Sequence, residues 1–288
     1  MRMSERDTKI GPTAHYTAYV WYRLRMPHAE YFATRTGRRL FWAFRLAGEW
    51  LATLSATHPS MEQYLEMRHR ALEKVLHDGD PDCVVELGAG LSRRGLTWAA
   101  DHGVRYVEVD LPEMVRAKRR IVSDKVPPAV RARAETLLSH VSMDVLSEGL
   151  VDELARVLVG AERPVVLSEG LLGYFPMEER KQIVRRVCQA LARAGGGAFA
   201  CDLRAAEGGA AVAAGARALR GAVWVATRGR GLRSDFESHD HVRAFFRDAG
   251  FASAETVDIS EVSPLLARVR SPARVWLCTV APTAPGRA

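Results

Sequence analysis

Long apolar runs are absent from this chain of 288 residues, and both cysteine and lysine are scarce. No stretch reaches the roughly 18 consecutive apolar residues that a membrane-spanning helix needs. The first nine residues are polar and lack the apolar core of a secretory signal peptide, so we expect a cytoplasmic location and no membrane partner. Apolar residues at 48% and charged residues at 26% exclude extensive disorder, and the length favours one catalytic domain with an added cap.

Cysteine is represented by four widely spaced residues that form no C-x-x-C pair, and no histidine lies at metal-ligand spacing from them. Three of them, Cys83, Cys201 and Cys278, fall in apolar, strand-like runs. A buried thiol in such a run behaves as a small hydrophobic side chain. We therefore predict neither a disulfide framework nor a metal site.

Lysine supplies only five of the 41 basic residues, and the arginines are spread along the whole chain. The net charge of +7 would suit a nucleic-acid partner, but such a partner is bound by basic residues concentrated in one patch. We expect no nucleic-acid partner.

The chain changes character near residue 80. Before it, aromatic and arginine-rich segments have helical spacing, and one helix is predicted over Met61–His77. Ser60, followed three residues later by Gln63, forms a capping-box pattern that marks the start of this helix. We interpret residues 1–79 as an N-terminal helical cap or lid and residues 80–288 as the catalytic domain.

After residue 80, apolar strand-like runs alternate with helix-like stretches, which predicts an α/β fold with a mostly parallel sheet. The predicted strands are Cys83–Leu87, Val104–Val109, Pro164–Leu167, Ala198–Cys201, Ala254–Val257 and Arg274–Val280. A loop without a crossover helix joins the last two, which predicts an antiparallel C-terminal strand. A helical, alanine-rich insertion is predicted near residues 205–233.

The first candidate site is a glycine turn that follows directly on the strand Cys83–Leu87. Gly88 and Gly90 permit a tight turn and let a ligand approach the backbone closely. Asp110, twenty residues after Gly90, ends the second strand with a carboxylate that can accept both hydroxyls of a ribose.

This spacing is shared by binding sites for NAD and for S-adenosylmethionine. A dinucleotide fingerprint requires a third glycine at position 93, where this chain has Arg93. Glu86, two residues before Gly88, matches the E/D-x-G-x-G form of adenosylmethionine enzymes. We therefore predict S-adenosyl-L-methionine as the cofactor and S-adenosyl-L-homocysteine as its product.

The second candidate site is Glu169, which follows the buried strand Pro164–Leu167. Open α/β sheets bind ligands at the carboxyl ends of their strands, so this carboxylate is a candidate cofactor contact. A carboxylate here would also stabilise the N-terminus of a following helix, and the residues alone leave both interpretations open.

Together these segments resemble the leucine carboxyl methyltransferase family. The matching segments are Val84–Leu91, similar to LGAGL, Glu108–Lys118, of the form E-x-D-x-P-x-x-x-x-x-K, and Ser168–Tyr174, similar to EGLLxY. The resemblance covers roughly residues 15–203 and points to the short bacterial branch similar to tetracenomycin-type polyketide O-methyltransferases. It implies the Rossmann-like sheet of class I S-adenosylmethionine-dependent methyltransferases.

The resemblance also implies a role for each matching position. Gly88 would contact the amino-acid end of the cofactor, and Glu169 would bind its amino group. Asp110 would bind the ribose. Asp144 and Val145 would contact the adenine.

An arginine on the helix before the first strand would bind the cofactor carboxylate, with Arg68 and Arg70 as the candidates.

The chain departs from the family pattern in three segments. Ser92–Arg94 replaces the usual Asp-Thr-Arg, and the R-T-R-x-x-D-D segment is hardly recognisable at residues 68–70. Val145-Leu146 replaces the Leu-Arg that follows the adenine-side aspartate in protein carboxyl methyltransferases, which favours a small-molecule acceptor.

Four residues are predicted to contact the methyl acceptor: Tyr16, Arg23, Tyr174 and Trp224. The aromatic segment His15–Arg23 is interpreted either as a lid that closes over cofactor and acceptor or as core packing of a cap helix. Aromatic faces around a sulfonium are physically sensible, because they attract a cation.

A general base would assist a phenol or enol acceptor, whereas a carboxylate acceptor needs none. The candidate bases are His15, His69 and His140, which the sequence does not rank. The predicted activity is O-methylation of a hydroxyl or carboxyl group of a small molecule, with a polyketide-type secondary metabolite as the expected acceptor. The alternatives are methylation of a protein or peptide C-terminus and a non-catalytic binding protein. The sequence leaves open whether the chain is a monomer or a homodimer.

Overall fold

The strand-like runs of the sequence form a seven-stranded sheet in the order β3-β2-β1-β4-β5-β7-β6. A computed structural model describes residues 5–46, 60–205, 236–260, 262–263 and 273–280. The strands are β1 (Cys83–Leu87), β2 (Arg105–Asp110), β3 (Leu138–Ser142), β4 (Pro164–Ser168), β5 (Gly197–Arg204), β6 (Ser253–Thr256) and β7 (Ala273–Val280).

The sheet is parallel from β3 to β5, and β7 runs antiparallel to both β5 and β6. The prediction of a mostly parallel sheet with an antiparallel C-terminal strand is confirmed. The predicted strand bounds are correct for β1 and differ by one to three residues at an end elsewhere. Strand β3 was not predicted because it lies at the sheet edge, where none of its five residues is fully buried and polar side chains replace an apolar run.

Ten helices of the described residues flank the sheet or precede it. They are α1 (Glu5–Arg23), α2 (Ala29–Phe32), α3 (Arg35–Phe44), α4 (Met61–Gly79), α5 (Arg94–His102), α6 (Pro112–Lys125), α7 (Pro128–Ala134), α8 (Leu150–Leu158), α9 (Met177–Arg193) and α10 (His239–Asp248). A short 3-10 helix, Leu172–Tyr174, follows β4. None of the helices that the structure describes is long and apolar enough to cross a membrane.

The predicted capping box at the start of α4 is confirmed. The Ser60 hydroxyl accepts the Gln63 amide N–H at 3.2 Å, and the Gln63 side-chain oxygen accepts the Ser60 amide N–H at 3.0 Å. Each side chain thus satisfies an amide at the helix start that has no partner within the helix. The predicted insertion lies outside the described residues, apart from Ala205.

Both faces of the sheet are covered, and successive side chains of a strand alternate between them. In β1, Val85 packs into a core formed with α8, α9 and α10. Val84 packs into a second core that includes Trp21 of α1 and Leu72 of α4. The N-terminal helices therefore share a core with the sheet, and their division from it as a separate cap remains a prediction.

Candidate active site

A cavity of about 250 Å³ opens at the carboxyl ends of β1, β2, β3 and β4. Parallel α/β sheets bind their ligands at this edge. Helices α1 and α4 cover the opposite side of the cavity with aromatic side chains, Tyr16, Trp21 and Tyr64. The candidate site therefore combines loops of the sheet with the N-terminal helices.

The glycine turn after β1 forms one wall of the cavity. Gly88 and Gly90 both have left-handed backbones, with φ of 66° and 53°, which glycine adopts without strain. A Cβ atom on Gly88 would lie 2.8 Å from Leu171, and one on Gly90 would lie 3.3 Å from Ala14 of α1. A side chain at either position would therefore press against a residue that lines the cavity, in a backbone conformation that disfavours it.

Asp110 lies beside this turn and holds its shape. One carboxylate oxygen accepts the Gly90 amide N–H at 2.6 Å, and the other accepts the Leu111 amide N–H at 2.7 Å. Burial raises the pKa of Asp110, and the two amides partly offset this effect. Each oxygen retains a second lone-pair direction, so the carboxylate can still accept two hydroxyl groups of a ligand in the cavity.

The loop after β3 adds the next part of the wall. The Met143 amide N–H donates to the Asp110 carbonyl at 2.9 Å, which joins this loop to the end of β2. Asp144 and Val145 follow, and both line the cavity. The structure thus brings the predicted ribose and adenine contacts together on one side.

Glu169 and Arg68 lie on the other side of the cavity. The Arg68 Nε donates to Glu169 at 3.1 Å, and its Nη1 lies 3.5 Å from Asp202 of β5. Arg70 is turned away, with its Nε donating to Glu66 at 2.7 Å, and it does not line the cavity. Of the two candidate arginines, only Arg68 is therefore placed to meet a ligand there.

Behind Glu169 lies a buried polar network centred on Arg94, which is fully buried. Its guanidinium donates to Glu86 at 2.6 Å, to Glu169 at 2.6 Å and to Glu73 at 3.0 Å. Burial alone would raise the pKa of Glu169, but His69, Arg94 and Arg68 lower it well below the usual range. Glu169 is thus held ionised at the cavity wall.

The three candidate bases are placed very differently. His15 lines the cavity edge, and its Nδ1 lies 3.1 Å from the Thr34 hydroxyl. His69 is fully buried within the Arg94 network, and burial together with Arg94 lowers its pKa to about 4. His140 lies on β3 beside Glu108, at 3.3 Å, and does not line the cavity. Only His15 is placed where it could reach an acceptor.

The predicted acceptor contacts are also divided. Tyr16 and Tyr174 line the cavity. Arg23 lies outside it, where its Nε pairs with Glu62 at 3.1 Å and its guanidinium covers the Phe41 ring at 4.4 Å. Trp224 lies outside the described residues.

Helix α1 packs into the core and also borders the cavity, while its closing as a lid remains a prediction. Tyr16 and Val20 are buried in a cluster with Phe41 of α3, which is core packing. Ala14 and Trp21 face the cavity. Val20 thus supports the helix without lining the cavity, Ala14 lines the cavity, and Tyr16 does both.

Comparison with known proteins identifies the family. The model for leucine carboxyl methyltransferase matches residues 24–188, more than half of the chain. The chain belongs to the leucine carboxyl methyltransferase family. A search of curated proteins finds no match.

Solved structures of methyltransferases share the fold. A candidate methyltransferase from Thermobifida fusca YX is 15% identical, with a TM-score of 0.57 over 92% of this chain and 93% of that one. A candidate O-methyltransferase from Nostoc punctiforme PCC 73102 is 14% identical, with a TM-score of 0.50 over 81% and 67% of the two chains. The S-adenosylmethionine-dependent methyltransferase SibL is 14% identical, with a TM-score of 0.51 over 76% and 57%.

This leucine carboxyl methyltransferase family member therefore has the fold of class I S-adenosylmethionine-dependent methyltransferases, and S-adenosylmethionine is its cofactor. The cavity fits such a group. Its glycine turn has no room for side chains, Asp110 retains free acceptor directions, and Arg68 offers a guanidinium for a carboxylate. Five carboxylates line it, and Arg68 is the only Lys or Arg among its described lining residues. A cationic sulfonium is favoured in such surroundings.

Several residues of the site were missed in the sequence. Arg94 occupies the last position of the Asp-Thr-Arg segment that the family carries, so that pattern could have indicated it. Asp202, whose carboxylate accepts the Gly170 amide N–H at 2.5 Å, lies inside an apolar strand and has no motif to indicate it. Tyr64 and Trp21 reach the site only because α4 and α1 fold over the sheet.

Proposed function

We propose that the chain is an S-adenosylmethionine-dependent O-methyltransferase that acts on a hydroxyl or carboxyl group of a small molecule, with a polyketide-type secondary metabolite as the acceptor class. One observation carries the proposal. A single cavity brings together the glycine turn, Asp110, the Arg68–Glu169 pair and a wall of aromatic side chains.

The placement of these groups supports one orientation of the cofactor. Asp110 would bind the ribose, and the adenine would lie toward Asp144 and Val145 at the same end. The amino-acid part would then extend along Gly88 toward Arg68 and Glu169. Arg68 would bind its carboxylate through a charge-assisted hydrogen bond, and Glu169 would bind its amino group.

The cofactor supplies an activated methyl group, and the chain supplies alignment. Holding an acceptor oxygen in line with the methyl carbon and its sulfur can contribute roughly 7–11 kcal/mol by proximity and orientation. Tyr16, Trp21 and Tyr174 give the cavity aromatic faces that suit a flat acceptor and exclude water. A phenol or enol acceptor would pass its proton to His15 or to water, and a carboxylate acceptor would have none to lose.

A protein or peptide carboxyl group is the second candidate acceptor, favoured by the description of the family model. The chain lacks the arginine expected after the adenine-side aspartate, since Val145 and Leu146 follow Asp144. This departure supports a small molecule. A non-catalytic binding protein would have the same cofactor cavity without turnover.

Two measurements test the proposal. Isothermal titration calorimetry with S-adenosylmethionine, S-adenosylhomocysteine, NAD and NADP should show binding of the first two alone. Cell extract incubated with the protein and methyl-labelled cofactor, separated into small molecules and proteins and analysed by mass spectrometry, should show label in a small molecule. Label in proteins would favour the second candidate, and binding without any transfer would favour the binding protein.

A further inference from the structure

Arg94 is a buried arginine that contacts the wall of the cavity without lining it. It lies on α5, has no exposed surface and is absent from the cavity lining. Burial alone would lower its pKa, but Glu86 and Glu169 raise it, so the guanidinium is charged. A buried charge of this kind is stable only when it is fully paired.

Two of its three carboxylate partners come from neighbouring strands, and the third, Glu73, lies on α4. Glu86 belongs to β1, and Glu169 follows β4, which pairs with β1 in parallel. Arg94 Nη1 donates to Glu86 at 2.6 Å and Nη2 donates to Glu169 at 2.6 Å. The rigid fork of one guanidinium therefore sets the separation of two carboxylates that line the cavity.

The position of these carboxylates within the cavity is informative. They lie at the end that holds Gly88 and Arg68, whereas Asp110 and Asp144 lie at the end formed by β2 and β3. We propose that Arg94 is a positioning residue that fixes Glu86 and Glu169 for recognition of the amino-acid part of the cofactor. This inference rests on the proposed cofactor orientation.

Two ligands separate this role from a general effect on the fold. S-adenosylhomocysteine contains the amino-acid part, and 5′-methylthioadenosine contains the same adenosine without it. Arg94→Lys keeps the charge but cannot reach both carboxylates as a fork. We expect this variant to bind S-adenosylhomocysteine about tenfold or more weakly, the size of one charge-assisted hydrogen bond, and methylthioadenosine with nearly unchanged affinity.

A buried ion pair at the other end of the cavity provides the matched control. Glu108 and Lys118 are both buried, with 2.6 Å between Oε1 and Nζ, and Glu108 lies two residues before Asp110 on β2. Glu108→Gln should weaken the binding of both ligands by similar factors, because both ligands contain the ribose that Asp110 is proposed to bind.

The outcomes distinguish the inference from the proposed function. If Arg94→Lys lowers the affinity for both ligands equally, or lowers neither affinity, the proposed role of Arg94 is overturned. A wild-type chain that binds neither ligand would instead refute the cofactor orientation and the proposed function. If Arg94→Lys does not fold, Glu73→Gln loosens the hold on Arg94 Nε from a residue that does not line the cavity. Selective loss of S-adenosylhomocysteine in that variant supports the inference, and equal loss contradicts it.

Discussion

The Nη2 atom of Arg93 donates to Nε2 of His69 across 3.1 Å, in the buried network behind the cofactor cavity. The other ring nitrogen, Nδ1, lies 2.9 Å from Arg94 Nη2 and beside Glu169, so both nitrogens of His69 face a guanidinium. Because an arginine only donates, a neutral ring can accept from only one of them, and a proton on Nδ1 satisfies both Arg93 and Glu169. Nδ1 lies 3.0 Å from Glu169 and can donate to it. His69 therefore connects Arg93 to the carboxylate at the cavity wall and has no nitrogen left for an acceptor. Both residues occupy segments where the chain departs from the family pattern, so the two departures meet in the structure.

Asp110→Ala should weaken the binding of S-adenosylhomocysteine by about tenfold or more, since charge-assisted hydrogen bonds contribute about 1.5–3 kcal/mol each. Asp110 also accepts two backbone amides, so the loss of those bonds needs its own control. Asp82 provides it, because its carboxylate accepts the Glu162 and Arg163 amides at 2.7 and 3.0 Å and does not line the cavity. Asp82→Ala should leave the dissociation constant, measured by calorimetry, unchanged. If Asp110→Ala and Asp82→Ala bind S-adenosylhomocysteine equally well, the ribose does not bind at Asp110.

The local patterns of the sequence predicted the sheet and one half of the site. The glycine turn, Asp110 and Glu169 are adjacent in the sequence to the strands that position them, so strand prediction placed them correctly at one edge. Arg94 and Asp202 were missed because their partners come from distant segments, Glu169 lying 75 residues from Arg94 and Gly170 lying 32 residues from Asp202. A single sequence holds no record of such pairings.

The two arginines of α4 should behave differently, although only His69 separates them. Arg68→Lys should weaken the binding of S-adenosylhomocysteine about tenfold, because lysine lacks the planar guanidinium that pairs with a carboxylate through two hydrogen bonds. Arg70→Lys should have no effect on binding, since Arg70 pairs with Glu66 away from the cavity. Calorimetry on both variants, with thermal melting to confirm that they fold, tests this difference. A larger loss in Arg70→Lys would contradict the assignment.

Helix α1 offers a pair of substitutions that separate covering the site from supporting the fold. Ala14→Leu should obstruct the cavity beside Gly90 and weaken cofactor binding at least about tenfold. The melting temperature should change little, because Ala14 is only partly buried and the longer side chain can extend into the cavity. Val20→Ala removes buried methyl groups from the cluster with Tyr16 and Phe41, and should lower the free energy of unfolding by about 1–3 kcal/mol without changing affinity. Urea unfolding and calorimetry provide the two readouts. If both variants lose stability and neither loses affinity, α1 is core packing alone.

His69 predicts how stability depends on pH. Its pKa is lowered from 6.5 to about 4 in the folded protein, first by burial and then by Arg94. The unfolded chain therefore binds one more proton than the folded chain between these values, so stability falls as pH decreases from 6.5 toward 4. The loss amounts to about 3 kcal/mol at most, from about 1.4 kcal/mol for each pH unit of the shift. Glu73, whose pKa is lowered to about 2, loses its contribution to stability only below its ordinary pKa of 4.5, so the pH ranges over which His69 and Glu73 act barely overlap.

His69→Gln keeps a polar side chain but cannot titrate. His15, whose pKa burial also lowers, is present in both the wild-type protein and this variant. Urea unfolding of the two proteins at pH values from 4.5 to 7.5 should therefore give a smaller slope for the variant below pH 6.5. Parallel pH profiles would mean that His69 is protonated in the folded state, which would contradict the hydrogen bond from Arg93.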